Sequence, residues 1–136
     1  PRFSASMSAD ATIPAAAWTR VAFNTADVNE QGAFVAATNR FVAPESGTYT
    51  FGAGLAYRRI GSASPTALQA RFYRNGAASA RLRAAATNLV DAVSTLSLTG
   101  TLALNAGDTV EVFAQFTGAE GGILAADTTF WGLSVP

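Results

Sequence analysis

The sequence predicts an all-β fold, a jelly-roll β-sandwich built from roughly eight to ten short strands. Two observations carry the prediction. Apolar and polar residues alternate in short runs, most strictly through Leu96, Leu98, Leu102 and Leu104, with Thr95, Ser97, Thr99, Thr101 and Ala103 between them. Turn signals separate these runs, among them Pro44-Glu45-Ser46-Gly47, Asn75-Gly76 and Asn105-Ala106-Gly107-Asp108. Strand side chains repeat every second residue, so each alternating run has one face for a core and one for its surroundings. No internal repeat or linker interrupts the 136 residues, so a single domain over residues 1–136 is expected.

Each element follows in order. Phe3 to Met7 alternates and opens the first strand. Thr12 to Ala17, with Pro14, reads as a loop of small residues. Trp18 to Phe23 alternates again, with Val21 and Phe23 on one face. Asn24 to Gly32 is polar and reads as turns. Ala33 to Val42 reads as one or two strands broken near Thr38-Asn39. A corner follows, in which Pro44 lacks a ladder donor and Gly47 tolerates unusual backbone angles. The longest strand, Thr48 to Arg59, places Tyr49, Phe51, Leu55 and Tyr57 on one face.

Gly61 to Pro65 reads as a loop and Ala67 to Tyr73 as a strand. Asn75-Gly76 is a strong two-residue hairpin signal, since both residues accept positive φ. Ala77 to Arg83 returns from it. Ala84 to Ala92 is ambiguous: its alanines favour helix, but it is short and uncapped, and it reads as a loop with one helical turn. Val93 to Leu104 and Thr109 to Thr117 are strands around the Asn105–Asp108 turn, where Asp108 is expected to hold the turn by a side-chain hydrogen bond. Gly118 to Asp127 reads as a loop around Gly121-Gly122, and Thr128 to Val135 closes the chain.

Composition bounds the function. Hydrophobic residues make up 49% and charged residues 13%, against about 25% charged in ordinary domains. A surface so poor in charge either packs against copies of itself or is a neutral coat of Ala, Ser and Thr. The formal net charge is zero, which gives no pull toward a phosphate backbone or an anionic membrane. No apolar run approaches the ~20 residues of a membrane-spanning helix. Nucleic acid and membrane insertion are therefore not expected. All nine basic residues are arginine, a usage that fits a GC-rich bacterial or phage coding sequence. The chain opens at Pro1 without a signal peptide, so it reads as a domain cut or processed from a longer protein.

Histidine and cysteine are absent. This removes Ser–His and Cys–His nucleophilic arrangements and the usual zinc ligand sets. The nine acids are scattered, mostly at turns, and no run of spaced Asp and Asn suggests calcium. A facing carboxylate pair is the one catalytic arrangement left open. No enzyme activity, cofactor or metal is expected.

Six motifs, taken in order, resemble a known family: Phe3-Ser4-Ala5, Val21-Ala22-Phe23-Asn24, Phe41…Pro44…Gly47-Thr48-Tyr49-Thr50-Phe51, Tyr73-Arg74-Asn75-Gly76, Leu104 to Val110, and Phe130-Trp131-Gly132-Leu133. Their order is similar to that of complement-1q globular heads, which share the tumour necrosis factor-like jelly roll. The resemblance implies a ten-strand sandwich that assembles as a homotrimer and acts as a binding head at the end of a stalk. The missing lysine, cysteine and collagen triplets, and Trp131 where a small residue is common, point to a bacterial or phage-type relative. An extracellular, cell-surface or virion-like location follows from that resemblance.

Candidate sites divide in two. For the trimer interface, Thr50, Gly52 and Gly54 lie opposite Tyr49 and Phe51 by parity, and the two glycines suggest either close approach of neighbouring subunits or a local bulge. By analogy with the family, Ser97 and Phe130 approach the axis while Leu98 and Trp131 fill the core. For ligand contact, Arg58 and Arg59 end one strand, and Arg71, Arg74, Arg81 and Arg83 surround the hairpin. These form either a cationic strip for carboxylate or phosphate groups, such as acidic sugars, or ordinary solvated arginines. Trp18 either stacks on a sugar ring or packs at a strand start. Glu120 marks a loop tip that is either a recognition loop or a bare connection. The expected function is a non-catalytic trimeric head that binds a cell-surface receptor, of glycan type, at the tip of a fibre or spike. The alternative is a trimerisation cap of a larger structural protein that binds nothing.

Overall fold

Two antiparallel sheets face each other across a core of aromatic rings. The computed structural model describes residues 1–87 and 93–136. The strands are β1 (Arg2–Ser6), β2 (Ala11–Ile13), β3 (Thr19–Arg20), β4 (Thr25–Asn29), β5 (Phe34–Val35), β6 (Arg40–Val42), β7 (Gly47–Arg59), β8 (Ala67–Arg74), β9 (Ala77–Thr87), β10 (Ser94–Leu104), β11 (Thr109–Thr117), β12 (Gly121–Ile123) and β13 (Thr129–Val135). Three single 3₁₀ turns, at Glu30–Gly32, Ala36–Thr38 and Ala125–Asp127, complete the regular structure of the described residues.

One sheet has seven strands in the order β2-β12-β7-β13-β1-β4, with β10 on the other edge of β7. The second has six in the order β5-β6-β11-β8-β9, with β3 also on β11. The fold is thus the expected sandwich. β7 organises the first sheet, because its 13 residues pair with β10 along their whole inner length and with β13 from Thr48 to Gly54. Tyr49, Phe51, Ala53, Leu55 and Tyr57 turn inward, all buried. Phe3, Phe34, Phe41, Phe51, Phe72 and Phe130 meet there in stacked and edge-to-face pairs with centroids 5.0–6.2 Å apart. Full burial of each such ring stabilises the fold by about 1.5–3 kcal/mol.

One end of the sandwich is stapled by turns. Two hydrogen bonds join the corners: Ala43 N donates to Asp108 O and Gly107 N donates to Ala43 O, both at 2.8 Å. Tyr49 Oη donates to Glu45 O at 2.7 Å. Asn75 and Gly76 both take positive φ, 51° and 80°, as a two-residue hairpin turn requires.

Five local expectations change. The loop expected over Thr12 to Ala17 gives up Thr12 and Ile13 to β2, which pairs with β12. The strand expected over Trp18 to Phe23 shrinks to Thr19–Arg20. Val21 still donates to Val112 O, but Phe23 N bonds back to Val21 O and curls the chain while both side chains stay buried. Part of the polar segment after Asn24 is β4, paired with β1 around a register shift at Ser4/Ala5. Ala84 to Thr87 is extended, because pairing with Ala67–Ala70 overrides the local helix preference of alanine. The remainder of the expected helical turn, residues 88–92, lies outside the described residues. Gly121–Ile123 is a strand rather than loop, held between β2 and the end of β7.

Phe130 is the main correction. It pairs with Ala53 and Ala5 on the inward side of its sheet and is 0% exposed within a single chain. It belongs to the core, and its neighbour Trp131 faces out, the reverse of the expected assignment. Parity fixes this: Gly132 pairs with Phe51 and Trp131 with Gly52. Phe130→Ala is therefore expected to cost about 3–5 kcal/mol of chain stability in urea unfolding. A change in assembly state with no change in stability would return Phe130 to the surface.

Candidate functional site

Two surfaces stand out, one on each sheet. The outward face of the seven-stranded sheet carries Thr95, Ser97, Thr99, Thr101 and Ala103 from β10, Thr50, Gly52 and Gly54 from β7, and Thr129, Trp131, Leu133 and Val135 from β13. None of these residues is charged. Leu133 and Val135 are 39% and 41% exposed, and Val28, opposite Ser4 on the same face, is 44% exposed. On the same face Arg2, directly opposite Leu133 on β1, is neutralised by Glu30, with guanidinium to carboxylate at 2.6 Å. That contact holds the Glu30 carboxyl below its usual range.

The residues expected in an interface divide on this face. Thr50, Gly54 and Ser97 lie on it and are open or half-open. Gly52 does not admit a neighbouring backbone. A Cβ there would overlap the indole of Trp131, which fills the notch left by the glycine within the same chain. The strand is neither bulged nor bare at that point. Beside Gly54, Thr129 Oγ1 is the nearest atom, at 3.8 Å from an added Cβ position, so space remains.

The second surface lies on and beside the six-stranded sheet, around the hairpin of β8 and β9. Tyr73 and Phe113, diagonal neighbours on β8 and β11, stack with centroids 3.8 Å apart and planes at 13°. Trp18 lies against Tyr73 at 6.4 Å. The Arg71 guanidinium sits over the Trp18 ring at 5.6 Å and donates to Ser79 O at 3.3 Å. Arg20 and Glu111 pair at 3.3 Å, with Glu111 only 4% exposed. Trp18 thus packs on its own chain at a strand start, with one side against Tyr73 and one under Arg71.

Between the edge strands β9 and β10 the two sheets part. A cleft of about 420 Å³ opens there, lined by Arg74, Ser79, Arg81, Leu82, Thr101 and Leu102. The pairing of β8 with β9 shifts register between Arg71 and Tyr73, and this irregularity gathers Ser79, Arg81 and Leu82 at the opening. Arg74 is oriented by Asp108 at 2.9 Å. Asp108 also accepts from Asn105 N at 2.9 Å and Asn75 Nδ2 at 3.1 Å. These bonds, the one from Asn105 foremost, hold its carboxyl below the usual carboxylate range.

The six candidate arginines fall into the same two sets as in the sequence. Arg74 and Arg81 line the cleft, and Arg71 and Arg83 stand directly opposite each other on the adjoining sheet. Arg58 and Arg59 lie elsewhere, paired with Gly122 and Gly121 of β12. Glu120 is beside them near Gly61, exposed. Ser79, Thr101, Leu82 and Leu102 of the cleft went unnoticed in the sequence, because a register shift leaves no pattern there. Among the described residues no group of three His, Cys, Asp or Glu could hold a metal ion.

The sequence matches the C1q domain over residues 2–133. The chain belongs to the C1q domain family. Its fold is similar to the globular domain of zebrafish complement 1qA protein, with a TM-score of 0.71, 18% identity, and coverage of 100% of this chain and 98% of that one. It is also similar to Eiger TNF from S. frugiperda, with a TM-score of 0.72, 13% identity, and coverage of 99% and 90%. No curated protein matches the sequence.

The hairpin cluster generates a pH prediction. Asp108 has a lower carboxyl pKa folded than unfolded, so its contribution to stability is full above the unfolded value, about 4. It fades as pH falls through the folded value. Asp108→Asn should lower the unfolding midpoint at pH 7, and the gap from wild type should narrow below about pH 4. A gap that is constant from pH 7 to pH 2 would contradict the assigned role.

Proposed function

We propose that the chain is a non-catalytic recognition head that assembles as a homotrimer and binds a cell-surface receptor of glycan type at the tip of a fibre or spike. C1q and tumour necrosis factor-like domains are typically trimeric recognition heads. The observation that carries the reading for this chain is the charge-poor outward face of the seven-stranded sheet. Leu133, Val135, Val28 and the half-buried Trp131 lie on it, its β10 and β13 residues carry no charge, and its cations are Arg58 at the end of β7 and Arg2, which stands opposite Leu133 and is paired with Glu30. Monomeric proteins rarely expose contiguous apolar patches of more than a few hundred Å², and such faces are covered by partners. Three copies packed through this face would leave the loops and the six-stranded sheets outward. Three equivalent weak sites then act together, which raises avidity by about 10²–10⁴ without new contacts.

Assembly and recognition can be separated by one substitution. Leu133→Arg places a second guanidinium directly opposite Arg2 on the charge-poor face while leaving the core untouched. The variant is expected to keep its circular dichroism spectrum and to sediment as a single chain, where the unaltered protein sediments as three. Its adsorption to receptor-bearing cells should fall at least about tenfold through lost avidity. An unaltered protein that sediments as one chain would contradict the proposal. A trimer that adsorbs to no cell surface would favour a role as an assembly cap.

A further inference from the structure

We infer that the cleft between β9 and β10, with the arginine pair beside it, is a binding site for a carboxylate-bearing sugar. The inference rests on the recognition-head reading and names the ligand class and the place. Three features of the site converge on that chemistry.

The first is a group of guanidiniums that outnumbers its anions among the described residues. Arg71 and Arg83 are direct cross-strand partners, and like charges so placed destabilise a sheet. Arg81 stands two residues from Arg83 at the mouth of the cleft. Among the described residues Glu111 is committed to Arg20 and Asp108 to Arg74, which leaves the Arg71, Arg81 and Arg83 group in excess of anions. A carboxylate between these guanidiniums relieves the repulsion and takes paired N–H donors.

The second is the shape and lining of the cleft. Its volume of about 420 Å³ lies within the range of small-molecule sites, about 300–1,000 Å³. Leu82 and Leu102 supply apolar surface for the C–H face of a ring. The hydroxyl of Ser79 supplies a partner that both donates and accepts, as sugar hydroxyls need.

The third is continuity. Arg71 donates to the backbone carbonyl of Ser79 and lies over Trp18. The cleft therefore runs into the ridge of Trp18, Tyr73 and Phe113, and a second sugar unit has an aromatic neighbour to rest against. Arg74 is a positioning residue here as well as a wall, since Asp108 fixes its guanidinium at 2.9 Å.

The test is a glycan array on the intact protein that carries uronate and sialylated oligosaccharides beside their methyl-esterified forms and neutral glycans. Binding is expected only to the free acids, and to fall at least about tenfold on esterification. Arg81→Glu and Arg83→Glu, both at exposed positions, should each lower binding at least about tenfold. Arg58→Glu, at the far end of β7, should leave it within about twofold; these limits distinguish a site from bulk charge. Equal losses for Arg58→Glu and Arg81→Glu, equal binding of acids and esters, or no carboxylated glycan bound would each overturn the site. If the protein then captured neutral glycans, the recognition head would stand and this site would fall. A trimer that bound neither the array nor cells would remove both.

Discussion

Side-chain alternation along β7 and β13 is the constraint on which the rest of the molecule depends. Tyr49, Phe51 and Ala53 turn inward, so Thr50, Gly52 and Gly54 must turn outward. Register with β13 then decides the rest: Phe130 opposite Ala53 enters the core, and Trp131 opposite Gly52 leaves it. A shift of one residue would drive the indole into the aromatic cluster and put a buried phenylalanine in water. The missing Cβ of Gly52 makes the outward choice workable, since the indole lies flat in that notch. What results is a face poor in charge, with Arg2 and Arg58 near its ends, which is an unusual thing for a sheet to show to solvent.

Much of the fold was legible because it is written in period two. The β7 and β10 strands, the Asn75-Gly76 hairpin and the Asn105–Asp108 turn follow from alternation and turn chemistry alone. The misses share one physical cause: pairing that local sequence does not encode. Ala84–Thr87 is extended because Ala67–Ala70 lies beside it, and Gly121–Ile123 is a strand because β2 and β7 flank it. Phe130 was misplaced for a related reason. Phe130 and Trp131 are both large aromatics, and alternation says that they part without saying which goes in. Only the register against Ala53 and Gly52 decides that.

The arginines teach the same lesson about sites. Their division into a hairpin set and the Arg58-Arg59 pair was visible, but the cleft beside the hairpin set was not. Arg58 and Arg59 went to β12, whereas Arg71, Arg74, Arg81 and Arg83 gathered around one opening. The register shift that makes the opening also brings Ser79 and Leu82 to it. Asp108, expected only to hold a turn, reaches from that turn to Arg74 and so ties the stapled end of the sandwich to the wall of the cleft. On the proposed reading the two surfaces serve different ends: the charge-poor face takes copies of the chain, and the cationic cleft takes an anion.

The central claim is that the face around Trp131 is covered by other copies of the chain. Acrylamide quenching of Trp131 fluorescence, in a Trp18→Phe background, reads that directly. The account predicts weak quenching in the assembled protein and clearly stronger quenching once Leu133→Arg has separated the chains. Equal quenching in both, with the indole open to acrylamide throughout, would contradict it.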